Sequence, residues 1–412
     1  MSRSRRHLQT TTRPESGLLL EVEDLQTHFE TALGVVKAVD GVSFRLARGR
    51  ALGIVGESGS GKTILSRSIM GLLPKRNTIR KGSVRFEGQE LTTMSLRARR
   101  DIWGAEMAMI FQDPMTSLNP VMKVGKQIAE PLRIHLDMSR ADAKATSLRL
   151  LEDVGIPEPE KRLEQYPHEL SGGMRQRIMI AMALACGPTL LFADEPTTAL
   201  DVTVHTQILD LIQAQRKDRN MSVILVTHDL GVVAGHTDEI IVMYAGQVVE
   251  QAPTSVLFGE MRMPYTEALL ESIPKLDQPS HTLLRAIAGR PPDLINPPKG
   301  CRFSPRCPYV QDRCRDEAPP LVEAETPGHL YACWYPVGSD VWQEVKARLI
   351  KEGTATIPVS VEAAEPGDVV PDATGAEPVP EVSGEADAAA TTEAAPQEPA
   401  PQETPASSPG GS

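Results

Sequence analysis

From Leu18 to about Leu270, short aliphatic and β-branched runs alternate with segments whose apolar positions recur at helical spacing. The runs Leu18–Val22, Ala51–Val55, Val84–Glu87, Ala108–Phe111, Leu190–Ala193, Val223–Val226, Ile240–Met243 and Gln247–Glu250 predict strands. The segments Ala141–Asp153, Gly173–Ala185, Val204–Gln215 and Thr266–Glu271 predict helices. Strands alternating with helices predict an α/β layered domain around a largely parallel sheet, over residues 18–270. From 271 to 346 the pattern breaks. Proline pairs (Pro291-Pro292, Pro297-Pro298, Pro319-Pro320) and four cysteines predict a loop-rich appendage. Residues 347–412 are mostly Ala, Pro, Glu, Thr, Ser and Gly, too poor in apolar side chains to offset ordering entropy, so a disordered acidic tail is expected. Residues 1–17 read as a flexible N-terminal arm.

Charge adds one correction to this outline. The chain has 412 residues and a net charge of −11. Of its 54 acidic residues, twelve lie in 352–412, which holds no Lys or Arg, leaving 42 acids against 43 bases in residues 1–351. The predicted folded part is therefore nearly neutral and gives no general nucleic-acid surface. There is no apolar run of 18 residues and no signal-peptide core after Arg3, Arg5 and Arg6, so a cytoplasmic protein without a membrane-spanning helix is expected.

The first chemistry lies between the strand Ala51–Val55 and a helix-like run, Thr63 to Leu73. Gly56-Glu57-Ser58-Gly59-Ser60-Gly61-Lys62-Thr63 fits G-x-x-x-x-G-K-[ST], a phosphate-binding loop in its required strand–loop–helix setting. Gly56, Gly59 and Gly61 let the backbone fold tightly, so that N–H groups including those of Ser58 and Ser60 can point at phosphate oxygens. The following helix adds its positive N-terminus. Lys62 can reach the β- and γ-phosphates, and the Thr63 hydroxyl can ligate Mg²⁺. A nucleoside triphosphate is the expected ligand.

A second strand, Thr189–Ala193, ends in two carboxylates. Asp194, leaving a buried strand near the phosphate loop, suits Mg²⁺ coordination, and Glu195 can polarise an attacking water as general base. Further on the N-terminal side, Leu170-Ser171-Gly172-Gly173-Met174-Arg175-Gln176-Arg177 joins a good N-cap, Ser171, to Gly172 and Gly173, which let backbone approach an anion at a helix start. With this motif the sequence resembles the ATP-binding cassette (ABC) ATPases, whose signature is Leu-Ser-Gly-Gly-Gln. Met174 stands where many members carry Gln. The resemblance implies that this motif serves a nucleotide held by a partner subunit. It implies that Gln112, after Ala108–Phe111, is the Q-loop glutamine, touching Mg²⁺ and the nucleophilic water. It makes His228 the switch histidine at the γ-phosphate, Asp201 the D-loop residue that communicates across a dimer, and Phe29 the aromatic stacked on adenine.

Within that family, Gln112–Pro120, Thr197–Thr203, Pro264-Tyr265-Thr266 and the cysteine-rich end resemble the oligopeptide/dipeptide importer ATPases. Met263 departs from a His often found there, and Gly187 from a frequent Asn. Cys301, Cys307, Cys314 and Cys333 supply four thiolates, suited to zinc or an iron–sulfur cluster, with unligated, merely structural thiols as the third reading, and their spacing does not choose among them. A reducing cytoplasm disfavours disulfides. Some members of this branch carry a [4Fe–4S] cluster on such cysteines, and the resemblance implies one here. The isolated Cys186 reads as a small core residue.

The expected role is that of an ATPase on the cytoplasmic face of the membrane, using ATP and Mg²⁺ to power import of short peptides. The resemblance implies a homologous second ATPase subunit, or a homodimer, with two permease subunits and a solute-binding protein. A nickel chelate, glutathione or an oligosaccharide is the alternative cargo. A soluble non-transport ABC ATPase is the alternative of another class. Ribosome-acting members usually carry two cassettes per chain and DNA-repair members long coiled-coil insertions, and this chain shows neither.

Overall fold

The computed structural model describes residues 17–113, 117–196, 202–273 and 287–352. The expected N-terminal arm, apart from Gly17, and the acidic tail beyond Glu352 lie outside these residues. Two sheets organise the described chain. The larger has eight strands in the order β11-β12-β10-β9-β3-β8-β7-β6. Its core is β3 (Ala51–Val55), β6 (Met107–Ile110), β7 (Leu190–Asp194), β8 (Ser222–Thr227) and β9 (Glu239–Tyr244), paired in parallel. Antiparallel strands β10 (Gln247–Pro253), β12 (Leu330–Tyr331) and β11 (Val322–Glu323) extend one side.

The five parallel strands are apolar at consecutive positions because both of their faces are covered. Leu52, Ile54, Leu190, Phe192, Ile224, Val226, Ile241 and Met243 join one buried cluster. Their neighbours Ala51, Val55, Leu191, Ala193, Val223, Leu225, Ile240 and Val242 join the other. A period of two along every strand thus feeds two cores. The second core is closed by helices Val124–His135, Ala143 to Leu151 within Arg140–Asp153, Gly172–Leu184 and Val202–Arg219.

The first core is closed by the helix Lys62–Met70 and by a separate antiparallel sheet of order β2-β1-β4-β5. These strands are β1 (Leu18–Thr31), β2 (Gly34–Ala47), β4 (Thr78–Phe86) and β5 (Gln89–Glu90). The α/β domain is present as expected, but Leu18–Val22 and Val84–Phe86 belong to this second sheet and not to the parallel one. Thr27 of β1 and Ser68 of the helix share a buried 2.7 Å hydrogen bond between the two layers.

The cysteine-bearing segment is tied to the larger sheet through β12, which pairs with Glu250 and Gln251 of β10. Phe303 is 1% exposed and packs edge-on to Tyr244 and against Tyr265. The helix Asp340–Lys351, capped by the Ser339 hydroxyl, runs through residue 347, where the sequence reading places the start of the tail. Its Lys346 forms a buried ion pair with Glu267 of the helix Pro264–Glu271, and Trp342 donates to the same carboxylate at 3.1 Å.

Candidate nucleotide site

The phosphate loop leaves the carboxyl end of β3, between β8 and β9 near the middle of the sheet. Two of its glycines are fixed by close approach as well as by conformation. Gly56 has φ +150° and Gly61 φ +103°; a Cβ at either would come within 2.2 Å of a backbone carbonyl oxygen, of Met243 and Ala38 respectively. Gly61 caps the helix Lys62–Met70. Ser60 is buried and its hydroxyl has no partner, while Ser58 and Gly59 face solvent. Lys62 is 5% exposed, and its ammonium donates to the carbonyls of Gly56 at 2.7 Å and Glu57 at 2.9 Å. Burial lowers its pKa, against the carboxylates of Glu195, Asp194 and Glu57.

The other site residues arrive from adjacent strand ends, where open α/β sheets place their ligands. Asp194 ends β7, is fully buried, and accepts from the Thr63 hydroxyl at 3.0 Å. Its second oxygen, Oδ2, is buried without a partner. Burial raises its pKa, opposed by the Thr63 hydrogen bond and by Arg67. A hydroxyl and an under-satisfied carboxylate side by side form the hard oxygen set that Mg²⁺ prefers. Glu195 follows in left-handed backbone, φ +45°, with its N–H bonded to the Val226 carbonyl. Gln112, beyond β6, donates to Glu195 Oε2 at 2.9 Å, and His228 Nδ1, beyond β8, lies 3.4 Å from Oε1. Three residues that the sequence lists far apart thus meet around one carboxylate. Gln112 and His228 are solvent-exposed, so this group faces outward. A carboxylate so held can orient and deprotonate a water.

Ser171 caps the helix Gly172–Leu184, its hydroxyl accepting the Met174 N–H at 3.3 Å. Ser171 and Gly172 are exposed and Gly173 is half-buried. Phe29 is half-buried on β1, opposite Val36 and Thr78. Asp201 lies outside the described residues. One contributor escaped sequence reasoning. Gln176, 1% exposed, donates through Nε2 to the carbonyl of Pro196, directly after Glu195. Its signal was available: an amide one turn before the buried Ile180, on the core face of an apolar helix, needs a buried partner.

The four cysteines line one small cavity of about 20 Å³, together with Phe303 and Tyr309. Cys314 is buried, the other three half-buried, and all carry free thiols. The Ser304 N–H donates to the Cys301 carbonyl at 3.0 Å and the Cys301 N–H to the Cys314 carbonyl at 2.8 Å, which ties the cysteine-bearing turns together. Burial raises the thiol pKa of Cys301 and Cys307 and pushes Cys333 up to about 12. Among the described residues, no group of three or more His, Cys, Asp or Glu side chains has the arrangement of a metal-ion site.

Known proteins share this arrangement of segments. The sequence profile of ABC transporters matches residues 39–198, and that of the oligopeptide/dipeptide transporter C-terminal region matches residues 249–314. A probable peptide ABC transporter ATP-binding protein, y4tR of Sinorhizobium fredii, is 50% identical over 328 residues, 79% of this chain and 98% of the relative. The chain belongs to the ATP-binding subunits of the oligopeptide/dipeptide ABC transporters. The oligopeptide transport ATP-binding protein OppD of Salmonella typhimurium is 49% identical over 78% of this chain and 95% of its own. The dipeptide transport ATP-binding protein DppD of Escherichia coli is 47% identical over 77% and 97%. Among solved structures, the dimeric bacterial ABC transporter cassette MJ0796 superposes with a TM-score of 0.53 at 25% identity, covering 57% of this chain and 99% of the cassette. The protein is accordingly an ABC ATPase, with ATP as substrate and Mg²⁺ as cofactor.

Proposed function

We propose that this chain hydrolyses ATP to power import of short peptides, working at the cytoplasmic face of the membrane with permease and solute-binding subunits. The observation that carries this reading is near-50% identity to peptide-transport ATP-binding proteins over nearly their whole length. No helix among the described residues is long and apolar enough to cross a membrane, so the route for cargo is assigned to other chains. A homologous ATPase or a second copy supplies the other half of a dimer, as MJ0796 is dimeric.

Within this reading, Lys62 and the loop N–H groups from Gly56 to Thr63 bind the phosphates, and Phe29 stacks on adenine. Thr63, Asp194 and Gln112 would hold Mg²⁺, which would supply charge neutralisation at the phosphates. Glu195 takes the proton of the attacking water. Gln112 orients that water, and His228 contacts the γ-phosphate. Ser171, Gly172 and Gly173 face the nucleotide of the partner subunit, with Asp201 signalling across the dimer. Residues 18–270 form the ATPase domain, and 271–346 a C-terminal region in which Cys301, Cys307, Cys314 and Cys333 hold a [4Fe–4S] cluster. That all four cysteines line one cavity supports this assignment.

Uptake of labelled di- to pentapeptides, compared between native cells and a strain carrying Glu195→Gln at the chromosomal locus, tests the transport reading. Lost uptake with normal protein levels is expected. Unchanged uptake would remove the peptide assignment.

A further inference from the structure

Arg306 links the cysteine-bearing segment to the phosphate loop. Arg306, the residue before Cys307, has a side chain only 3% exposed. Its Nη1 donates to Glu57 Oε2 at 2.6 Å and its Nη2 to Glu57 Oε1 at 2.9 Å, a bidentate pair across 249 residues of sequence. Glu57 is the second residue of the phosphate loop. The remaining donors of the guanidinium go to the Tyr244 hydroxyl at 3.3 Å, the Ile287 carbonyl at 3.0 Å and the Ala288 carbonyl at 3.0 Å. All five N–H groups are therefore committed, and the fork is fixed before it meets the loop. On its backbone side, Glu57 donates its N–H to the Tyr265 hydroxyl at 2.9 Å, and Tyr265 is itself fully buried against Tyr244 and Phe303.

We propose that Arg306 is a positioning residue for nucleotide binding, acting through Glu57 on the shape of the phosphate loop. The physical case rests on what such a loop must do. Its N–H groups bind phosphate only when they converge, and a run with Gly56, Gly59 and Gly61 has little intrinsic preference for that shape. A clamp on Glu57 from both side chain and backbone limits the conformations the loop must give up on binding. Arg306 touches neither nucleotide nor reacting atoms in this scheme. Its effect belongs in affinity for ATP, not in the chemical step.

This inference rests on Gly56–Thr63 being the nucleotide site, so the test carries its own control. Mg-ATP affinity of the full chain is measured for wild type, Arg306→Ala, Arg306→Lys, Glu57→Gln, the Arg306→Ala/Glu57→Gln double variant and Lys62→Ala, with melting temperature and steady-state kinetics alongside. Arg306→Ala and Glu57→Gln are each expected to weaken ATP binding about tenfold, with the loss in KM, not kcat. The double variant should be no weaker than the worse single one, because both break one link. Arg306→Lys should recover only part, since an ammonium cannot reproduce the fork. The inference is overturned if both single variants bind ATP within twofold of wild type, if their effects add in full, or if the loss lies in kcat. A lowered melting temperature with unchanged affinity would mark the pair as purely structural and also overturn it. Should Arg306→Ala fail to fold, Glu57→Gln and Arg306→Lys carry the same comparison. If Lys62→Ala also leaves affinity unchanged, it is the nucleotide reading itself that fails.

Discussion

Gln112 and Glu195 stand 83 residues apart in sequence, yet the Gln112 amide donates to the Glu195 carboxylate at 2.9 Å. Pairing of β6 with β7 brings their strand ends together, so the contact follows from the parallel register. An amide in place of the Glu195 carboxylate can keep this hydrogen bond while losing the basic oxygen. Glu195→Gln is therefore expected to retain ATP binding while hydrolysis falls about 10²–10⁴-fold. Single-turnover hydrolysis beside an ATP-binding isotherm checks this. Near-normal turnover would remove Glu195 from the role of base.

Lys62 fails differently when truncated. Its ammonium is buried over the loop carbonyls of Gly56 and Glu57, and truncation removes that charge from the loop. Lys62→Ala should weaken ATP binding by about 10- to 100-fold, the range of a charge-assisted hydrogen bond. Protection of the chain from proteolysis by added ATP would be lost in parallel.

Asp194 is expected to govern the metal and leave the nucleotide base alone. Asp194→Asn keeps an acceptor for the Thr63 hydroxyl but removes the charge that draws a divalent cation. The Mg²⁺ concentration for half-maximal hydrolysis should rise by at least about tenfold, with metal-free ATP affinity unchanged or improved. A Mg²⁺ titration of ATPase activity separates these outcomes.

Acid sensitivity has an identifiable source in the antiparallel sheet. Burial alone would raise the pKa of the Glu90 carboxyl, but the Ser83 and Thr92 hydroxyls and the N–H groups of Thr92 and Val84 outweigh it and hold it at about 2. Because the folded value lies below the ordinary 4.5, this stabilisation is fully present above that pH and lost as pH falls from 4.5 toward about 2. Glu90→Gln should lower stability at neutral pH, and its gap from wild type should narrow below about pH 4.5. Urea unfolding at several pH values measures that gap. A gap that stays constant with pH would contradict the assignment.

Protein purified without oxygen should be brown and contain about four iron atoms per chain. Iron analysis and the visible spectrum test this, and Cys314→Ser should diminish both. Colourless, iron-free anaerobic protein would remove the cluster.

The parallel strands were legible because burial on two faces leaves unbroken apolar runs such as Ala51–Val55. The antiparallel sheet was not. In β1 the expected strand stops at Val22, but pairing resumes at Leu25 after a bulge around Asp24, whose φ is +44°. That bulge breaks the alternation that would have revealed the strand's full length. Strand β2 hid for a similar reason: only Val42, Phe44 and Leu46 alternate cleanly, while Gly34 to Lys37 are exposed or half-buried and the buried Ala38 and Val39 are adjacent. The helix Val124–His135 was obscured by Gly125 and by Pro131 in its interior. Motifs with fixed local spacing could be read directly, as for Gly56–Thr63. The ion pair of Arg306 with Glu57 has no local signature, since only the folded chain brings the two together.

The two short strands after the cysteines have a consequence for solubility. Strand β10 would otherwise close the sheet with a row of open peptide groups, a template for another chain. Through Glu250 and Gln251 it is instead covered by β12, and β12 in turn by β11. On this side the sheet's outermost edge is then only Val322 and Glu323, too short and too close to charge to recruit a foreign strand. The C-terminal segment thus doubles as a guard against edge-to-edge aggregation.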